Sequence, residues 1–531
     1  MQVPTRIRLA RLAHLFPCAA CCGLLALAIA PVRADDAQDH FNAGVKLYQG
    51  RKTDEALSEF KTALRLAPRD ATILRWIGFL ELERQNYQAA REPLERAVQL
   101  DPNSVVAHLD LGNVYDGLKQ YPSALEEFRK VTRLKPDSAD AFYDIGLTYS
   151  KLGRWAEAAE ALNNAARLDA AAAHGAAGMR EDPAIQDALG YALMNTGDVR
   201  GARDAYQRAV SLAPDNAEFN YHLALAWRRL ADEHKAAPET ALANARRALK
   251  VAVDRTPGNF EFTELYGEIL FDMDQNAEAA VQFARAAEME KTQYNPVYNL
   301  AVAYTRLGVS RQADAERAYA RALSLVKPGD DPSYRRNALS GLASTQIRLR
   351  RYDDAIGSLK TLTAEFPSDT SGWVNLATAY RFKGDENGEI DALRGALANS
   401  SGYANIAQVH AALGALLYRR GETSAALDQY AAANRARPNN ADILNGLALA
   451  EEKAGRHDDA IRDFQAAVRI NPRFADAYNN LGVAYIGRYN ESNSPADLDR
   501  AIAAYNQALA IDPHHALALR NKERYEKAKH Q

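Results

Sequence analysis

The chain has 531 residues, 47% of them hydrophobic and 25% charged, with 65 basic against 68 acidic side chains and a formal charge of −3. That length exceeds what one hydrophobic core organises, which leaves several domains or a repeating array. The near-balanced charge and ordinary apolar content exclude bulk nucleic-acid binding and disorder over most of the chain.

The amino terminus departs from this pattern. Arg6, Arg8 and Arg11 precede an apolar run from Leu15 to Val32, and no acid occurs before Asp35. This is the order of a secretory signal. Val32-Arg33-Ala34 places small or apolar residues where signal peptidase needs them, so cleavage is expected after Ala34, leaving residues 1–34 as a signal peptide. The alternative is an uncleaved inner-membrane anchor, which Pro17 and Pro31 make a poor helix. Cys18, Cys21 and Cys22, the only cysteines, lie within this segment, so the mature chain can form no disulfide. They sit near the start of the apolar run, where a lipid-modified cysteine should follow it. Loss of four arginines and no acid leaves 61 basic against 68 acidic residues, a formal charge of −7. A periplasmic or secreted protein is expected, touching a membrane only through its export segment.

From Ala37 a 34-residue period runs on, marked by a small residue, then Ala, an aromatic or Leu, Ala again, and Pro. The first repeat has Gly44, Ala56, Phe60, Ala63 and Pro68; the second Gly78, Ala90, Leu94, Ala97 and Pro102; the third Gly112, Ala124, Phe128, Val131 and Pro136. The fourth keeps Gly146, Ala158, Leu162 and Ala165 but has Ala170 in place of Pro. The small residue lets one helix approach its partner closely, the paired alanines offer the matching shallow surface, and Pro starts the turn into the next repeat. Apolar residues recur at three and four, as at Tyr478, Leu481, Gly482 and Tyr485, which is helical periodicity.

On these marks the chain resembles the tetratricopeptide repeat family, most closely in WVNLATAY at Trp373 to Tyr380 and YNNLGVAY at Tyr478 to Tyr485. Later repeats are anchored at Gly190, Ala224, Gly267, Ala301, Ala343, Ala377, Gly414, Ala448 and Gly482. The resemblance spans Ala37 to His515 and implies an all-α fold, a right-handed α-α superhelix (solenoid) of about thirteen repeats. Departures from the period predict insertions near residues 171–182, 231–240, 328–335 and 490–495. The first is read as a flexible joint or a frayed helix, and Pro238 is well placed to start a helix. Residues 516–531, apolar early and charged later, are expected to cap the open end of the array.

No phosphate-binding Gly-Lys-Ser loop, His-Glu-x-x-His or Gly-x-Ser-x-Gly occurs, so no enzyme activity, cofactor or metal is expected. The adjacent pair His514-His515 lacks a third ligand and reads as solvated side chains. What remains is the surface. In the proteins this chain resembles, a stripe on the first helix of each repeat lines a concave groove. Transferred to this sequence, the stripe takes in Tyr221, Arg228 and Tyr298, with Glu264 and Glu268 near or on it; the partner-binding groove expected here also includes Arg348 and the amides of Asn299, Asn375 and Asn480, each just before the Leu of its repeat and able to pair with a bound backbone. Residues 260–290 hold eight acids and one base, and 334–351 five arginines and no acid, a reversal able to orient a charged partner. The expected function is a non-enzymatic protein-interaction scaffold or assembly factor of the bacterial envelope, binding a protein or peptide and no nucleic acid. The alternative is a periplasmic carrier or sensor holding a small ligand or glycan.

Overall fold

A computed structural model describes residues 31–175, 180–233, 238–400 and 402–529. Among them the regular structure is entirely helical, and the helices fall into two compact units, one through Met273 and one from Asp274. The first unit holds α1 (Pro31–Gln49), α2 (Thr53–Leu66), α3 (Ala71–Glu83), α4 (Tyr87–Leu100), α5 (Val105–Gly117), α6 (Tyr121–Leu134), α7 (Ala139–Lys151), α8 (Trp155–Gly175), α9 (Pro183–Thr196), α10 (Val199–Leu212), α11 (Ala217–Glu233), α12 (Glu239–Arg255) and α13 (Phe260–Asp272). The second holds α14 (Asn276–Met289), α15 (Tyr294–Arg306), α16 (Gln312–Leu325), α17 (Pro332–Arg348), α18 (Tyr352–Glu365), α19 (Thr370–Lys383), α20 (Glu386–Ala398), α21 (Ile406–Arg419), α22 (Thr423–Ala436), α23 (Ala441–Lys453), α24 (His457–Ile470), α25 (Ala475–Ser492), α26 (Pro495–Ile511) and α27 (Ala516–Lys529). Odd-numbered helices are the first helices of the repeats, even-numbered ones the second, and α27 stands alone at the end.

Within each unit a helix packs on the next in the chain, and many first helices also touch the first helix of the following repeat. The small residue at the centre of the first helix explains the close pairing. A Cβ on Gly78 would come within 3.0 Å of three side-chain carbons of Leu94, and one on Gly44 within 3.0 Å of the Phe60 ring. Leu94 and Phe60 are wholly buried, as are Ala56, Ala90 and Ala124 at the matching alanine positions. The second helices thus present a large residue where the first helices present none.

Two turns alternate. Between second and first helices, the residue two after Pro caps the coming helix: Asp70 Oδ1 accepts from the Thr72 and Ile73 amides at 2.8 and 3.1 Å, and Asn259 and Asn440 do the same for Phe262 and Ile443. Between first and second helices, a single left-handed residue reverses the chain. At Gln85 (φ 60°) the Gln85 amide donates to the Leu82 carbonyl and the Asn86 amide to the Glu81 carbonyl, both at 2.8 Å, closing the helix end.

The residues outside the 34-residue period are spent mostly on lengthening helices. α8 continues for 21 residues because Ala170 to Ala173 are strong helix formers, and residues 176–179 lie outside the described residues. Residues 234–237 do too, and Pro238, with helical backbone angles, immediately precedes α12. The segment expected as a break at 328–335 is a loop only as far as Asp331, since Pro332 opens α17 with Asp331 accepting from the Ser333 amide at 2.8 Å. Residues 490–492 extend α25, and Pro495 starts α26. The expected signal peptide lies, up to residue 30, outside the described residues, and Val32-Arg33-Ala34 falls in α1. No described helix is long and apolar enough to cross a membrane.

Candidate partner-binding face

The first helices carry side chains at the margin of the core and beyond it. In the first unit these begin with an aromatic group. The Tyr48 ring stands edge-on to Trp76 and Phe79 at 5.4 and 5.8 Å, and Trp76 stacks on buried Phe60 at 5.4 Å. The Tyr48 hydroxyl donates to Glu83 at 2.9 Å, and burial together with that carboxylate pushes the phenol up to about 12. The Arg75 guanidinium lies 5.1 Å from the Trp76 ring and 5.3 Å from Phe79, and its Nε donates to Asp110 at 3.0 Å. Asp110 is buried, which pushes its carboxyl up to about 6 while Arg75 pulls the other way. Further along, Lys151 and Thr148 hold Asp116, whereas the half-exposed Asn113 amide has no hydrogen-bond partner among the described residues.

The sequence-derived groove residues divide between the units. Tyr221, Arg228, Glu264 and Glu268 lie on α11 and α13 of the first. Tyr221 is half-buried with its ring centroid 4.7 Å from Phe262, so much of its area already serves packing. Arg228 is held by Glu268 and lies 3.5 Å from Asp272. The expected acidic stripe is therefore partly neutralised from the neighbouring helix. Glu264 is half-buried and pairs with no base among the described residues; burial, then Glu268 and Glu261, push its carboxyl upward.

Tyr298, Asn299, Arg348, Asn375 and Asn480 lie in the second unit. Tyr298 stacks on Tyr294 at 5.4 Å, Tyr294 stacks on Tyr334 at 4.5 Å, and the Tyr294 hydroxyl donates to the Tyr334 carbonyl at 2.8 Å. This ladder joins α15 to α17 and gives Tyr298 a packing role. Asn299 and Asn375 are half-exposed and without hydrogen-bond partners among the described residues, and Arg348 is exposed and likewise unpaired. Asn480 differs: its amide donates to Asn445 at 3.2 Å, Asn479 donates to Asn480 at 3.2 Å, and Asn521 to Asn479 at 3.1 Å. Four amides on α23, α25 and α27 thus satisfy one another, an arrangement sequence reasoning missed because Asn445 and Asn521 were not weighed with Asn480.

Among the described residues no three His, Cys, Asp or Glu side chains converge to hold a metal ion. His108, buried on α5, has Nδ1 2.5 Å from Glu127 and Nε2 3.0 Å from the Pro102 carbonyl, contacts that join a helix pair and its turn.

Sequence models of the tetratricopeptide repeat match residues 41–105, 188–243, 238–296 and 341–404, residues 81–134, and residues 139–171; a further TPR repeat model matches 117–153 and 453–487. Together they cover more than half of the chain. No curated protein matches. Among solved structures, MamA from Desulfovibrio magneticus RS-1 is 25% identical over 34% of this chain and 95% of its own, with a TM-score of 0.31. Pseudomonas aeruginosa pilF is 18% identical over 42% of this chain and 93% of its own, with a TM-score of 0.35. A tetratricopeptide repeat protein from Parabacteroides merdae is 14% identical over 51% of this chain and 99% of its own, also with a TM-score of 0.35.

Proposed function

The chain belongs to the tetratricopeptide repeat family, and from that premise we propose that it is a non-enzymatic scaffold binding protein or peptide partners along its first helices. The observation that carries this reading is the set of half-exposed amides at Asn113, Asn299 and Asn375, left unpartnered among the described residues while Arg75, Asp116, Arg228 and Asn480 on first helices are taken. A free amide on a rigid helix donates to and accepts from an extended main chain at once. The half-buried Tyr48 and Trp76 beside Arg75 add aromatic area that loses little rotamer entropy on binding.

The place of action we propose is the bacterial envelope, reached by export with removal of residues 1–34. The Arg-led apolar run and a mature chain without cysteine support it. The test is capture from envelope extracts with the intact chain and with Asn299→Leu/Asn375→Leu. A stoichiometric protein partner, lost on substitution while helicity and melting stay unchanged, supports the scaffold. A glycan or small-molecule ligand, or capture indifferent to both substitutions, contradicts it.

A further inference from the structure

A regular device supports one position of the first helix, three residues after its small residue. In five of the repeats the side chain there meets a polar partner 20 residues earlier in sequence, on the preceding second helix. Lys61 donates to Glu81 at 3.4 Å, the Tyr115 hydroxyl to Glu95 at 3.0 Å, Arg129 to the Tyr149 hydroxyl at 2.5 Å, and Gln465 to the Tyr485 hydroxyl at 2.8 Å. Lys360 lies over the Tyr380 ring at 5.9 Å in the same relation. In the twelfth repeat this position is Glu451 on α23, and the residue 20 before it is Ala431 on α22.

The carboxyl of Glu451 is consequently stranded. The residue is 4% exposed, and Oε2 is buried without a hydrogen-bond partner. The base within ion-pair distance is Arg456, 3.4 Å from Oε1, which is itself held by Asp459 at 2.6 Å. From α24, half-buried Asp463 and Asp459 face it with like charge and Arg462 with opposite charge, while Arg462 is bound to Asp459. On α25 the charged Arg488 is taken by Asp497 and Asp458. His457, at the start of α24, is engaged 2.7 Å from Glu452 and 3.4 Å from Glu491. A buried carboxylate with an empty partner position and a second carboxyl opposite it is held in its less favourable form whenever it is ionised.

We infer that the twelfth repeat is a proton-responsive element: proton uptake by the Glu451–Asp463 pair as the pH falls from 8 to 6 tightens the packing of α23 and α24 on their neighbours. Burial above all, and then Asp463, push the Glu451 carboxyl up to about 7 from its ordinary 4.5. The sign follows from linkage. The folded state binds the proton more tightly than the unfolded state, so stability is gained as pH falls through 7 and is withheld above it. Between pH 8 and 6 a group with these two values lowers the local opening equilibrium about tenfold. α23 also carries Asn445, the end of the amide chain, so the same protonation stiffens part of the first-helix face.

The experiment is native-state hydrogen exchange on the full mature chain at pH 6 and pH 8, corrected for intrinsic rates and read on the α23 and α24 amides. The intact chain should open about tenfold less at pH 6. Glu451→Gln, near-isosteric and always neutral, should open equally at both values. Ala431→Gln, which restores the polar partner that Gln465 supplies to Tyr485, should shrink the ratio by protecting these helices at pH 8. His457→Gln should leave the ratio intact. Equal opening of the intact chain at both pH values overturns the inference, as does a tenfold ratio that survives Glu451→Gln or disappears with His457→Gln.

Discussion

Close approach of the two helices in a repeat is tested most sharply at Gly78 and Leu94. A methyl group on Gly78 would stand within 3.0 Å of three Leu94 carbons, where about 3.5–4.0 Å is the favourable separation. Leu94 is wholly buried and cannot swing into solvent. Overpacking of this kind costs about 1–3 kcal/mol, against about 1 kcal/mol gained from replacing a helical Gly by Ala. Gly78→Ala should therefore be neutral to destabilising by about 2 kcal/mol. Leu94→Ala should cost about 2–5 kcal/mol through the cavity it leaves. In the double variant the new methyl enters the space vacated by Leu94, so its cost should fall below the sum of the two by about 1–2 kcal/mol. A repeat array does not unfold as one unit, so the assay is native-state hydrogen exchange resolved helix by helix. Protection should fall in α2 through α5 and stay unchanged in α23 through α26. Additivity of the two substitutions within about 0.5 kcal/mol, or protection lost equally at both ends, would refute the close-packing argument.

Arg75→Ala should destabilise the second and third repeats by about 3 kcal/mol at pH 8, because Asp110 is left buried and ionised. The loss should shrink at pH 5, since the Asp110 carboxyl is already raised to about 6 and takes a proton instead, which chemical denaturation at the two pH values would measure. Gln85→Gly should stabilise the second repeat by up to about 1 kcal/mol, because a left-handed residue with a Cβ is strained; protection of α3 and α4 amides reads this out. Intact mass of protein from an envelope fraction should correspond to residues 35–531, and a retained Met1 would refute cleavage after Ala34.

The helical array was legible in the sequence because its marks are steric: Gly44 faces Phe60, Gly78 faces Leu94, and Pro68 precedes an Asp cap. Where the chain departs from the period, the same reasoning expected insertions, the first a flexible joint or a frayed helix; Ala170 to Ala173 and residues 490–492 continue their helices, because local propensity outweighs the interruption of the period. The binding face was legible only as a stripe. Which of its side chains are free depends on partners a repeat away: Arg228 meets Glu268 from 40 residues on, and Asn480 meets Asn445. One polar relation that could have been found from spacing alone is the 20-residue pairing, present at Glu81, Tyr115, Tyr149 and Tyr485 and missing at Glu451.

The scaffold reading stands or falls on which face of the repeats meets the partner. A photo-reactive amino acid placed singly at Asn113, Asn299 or Asn375 on first helices, and at Arg247 or Val281 on second helices, reports this in living cells. Adducts to one partner protein from the first-helix positions and none from Arg247 or Val281 are the predicted result; adducts from the second-helix positions alone would contradict it.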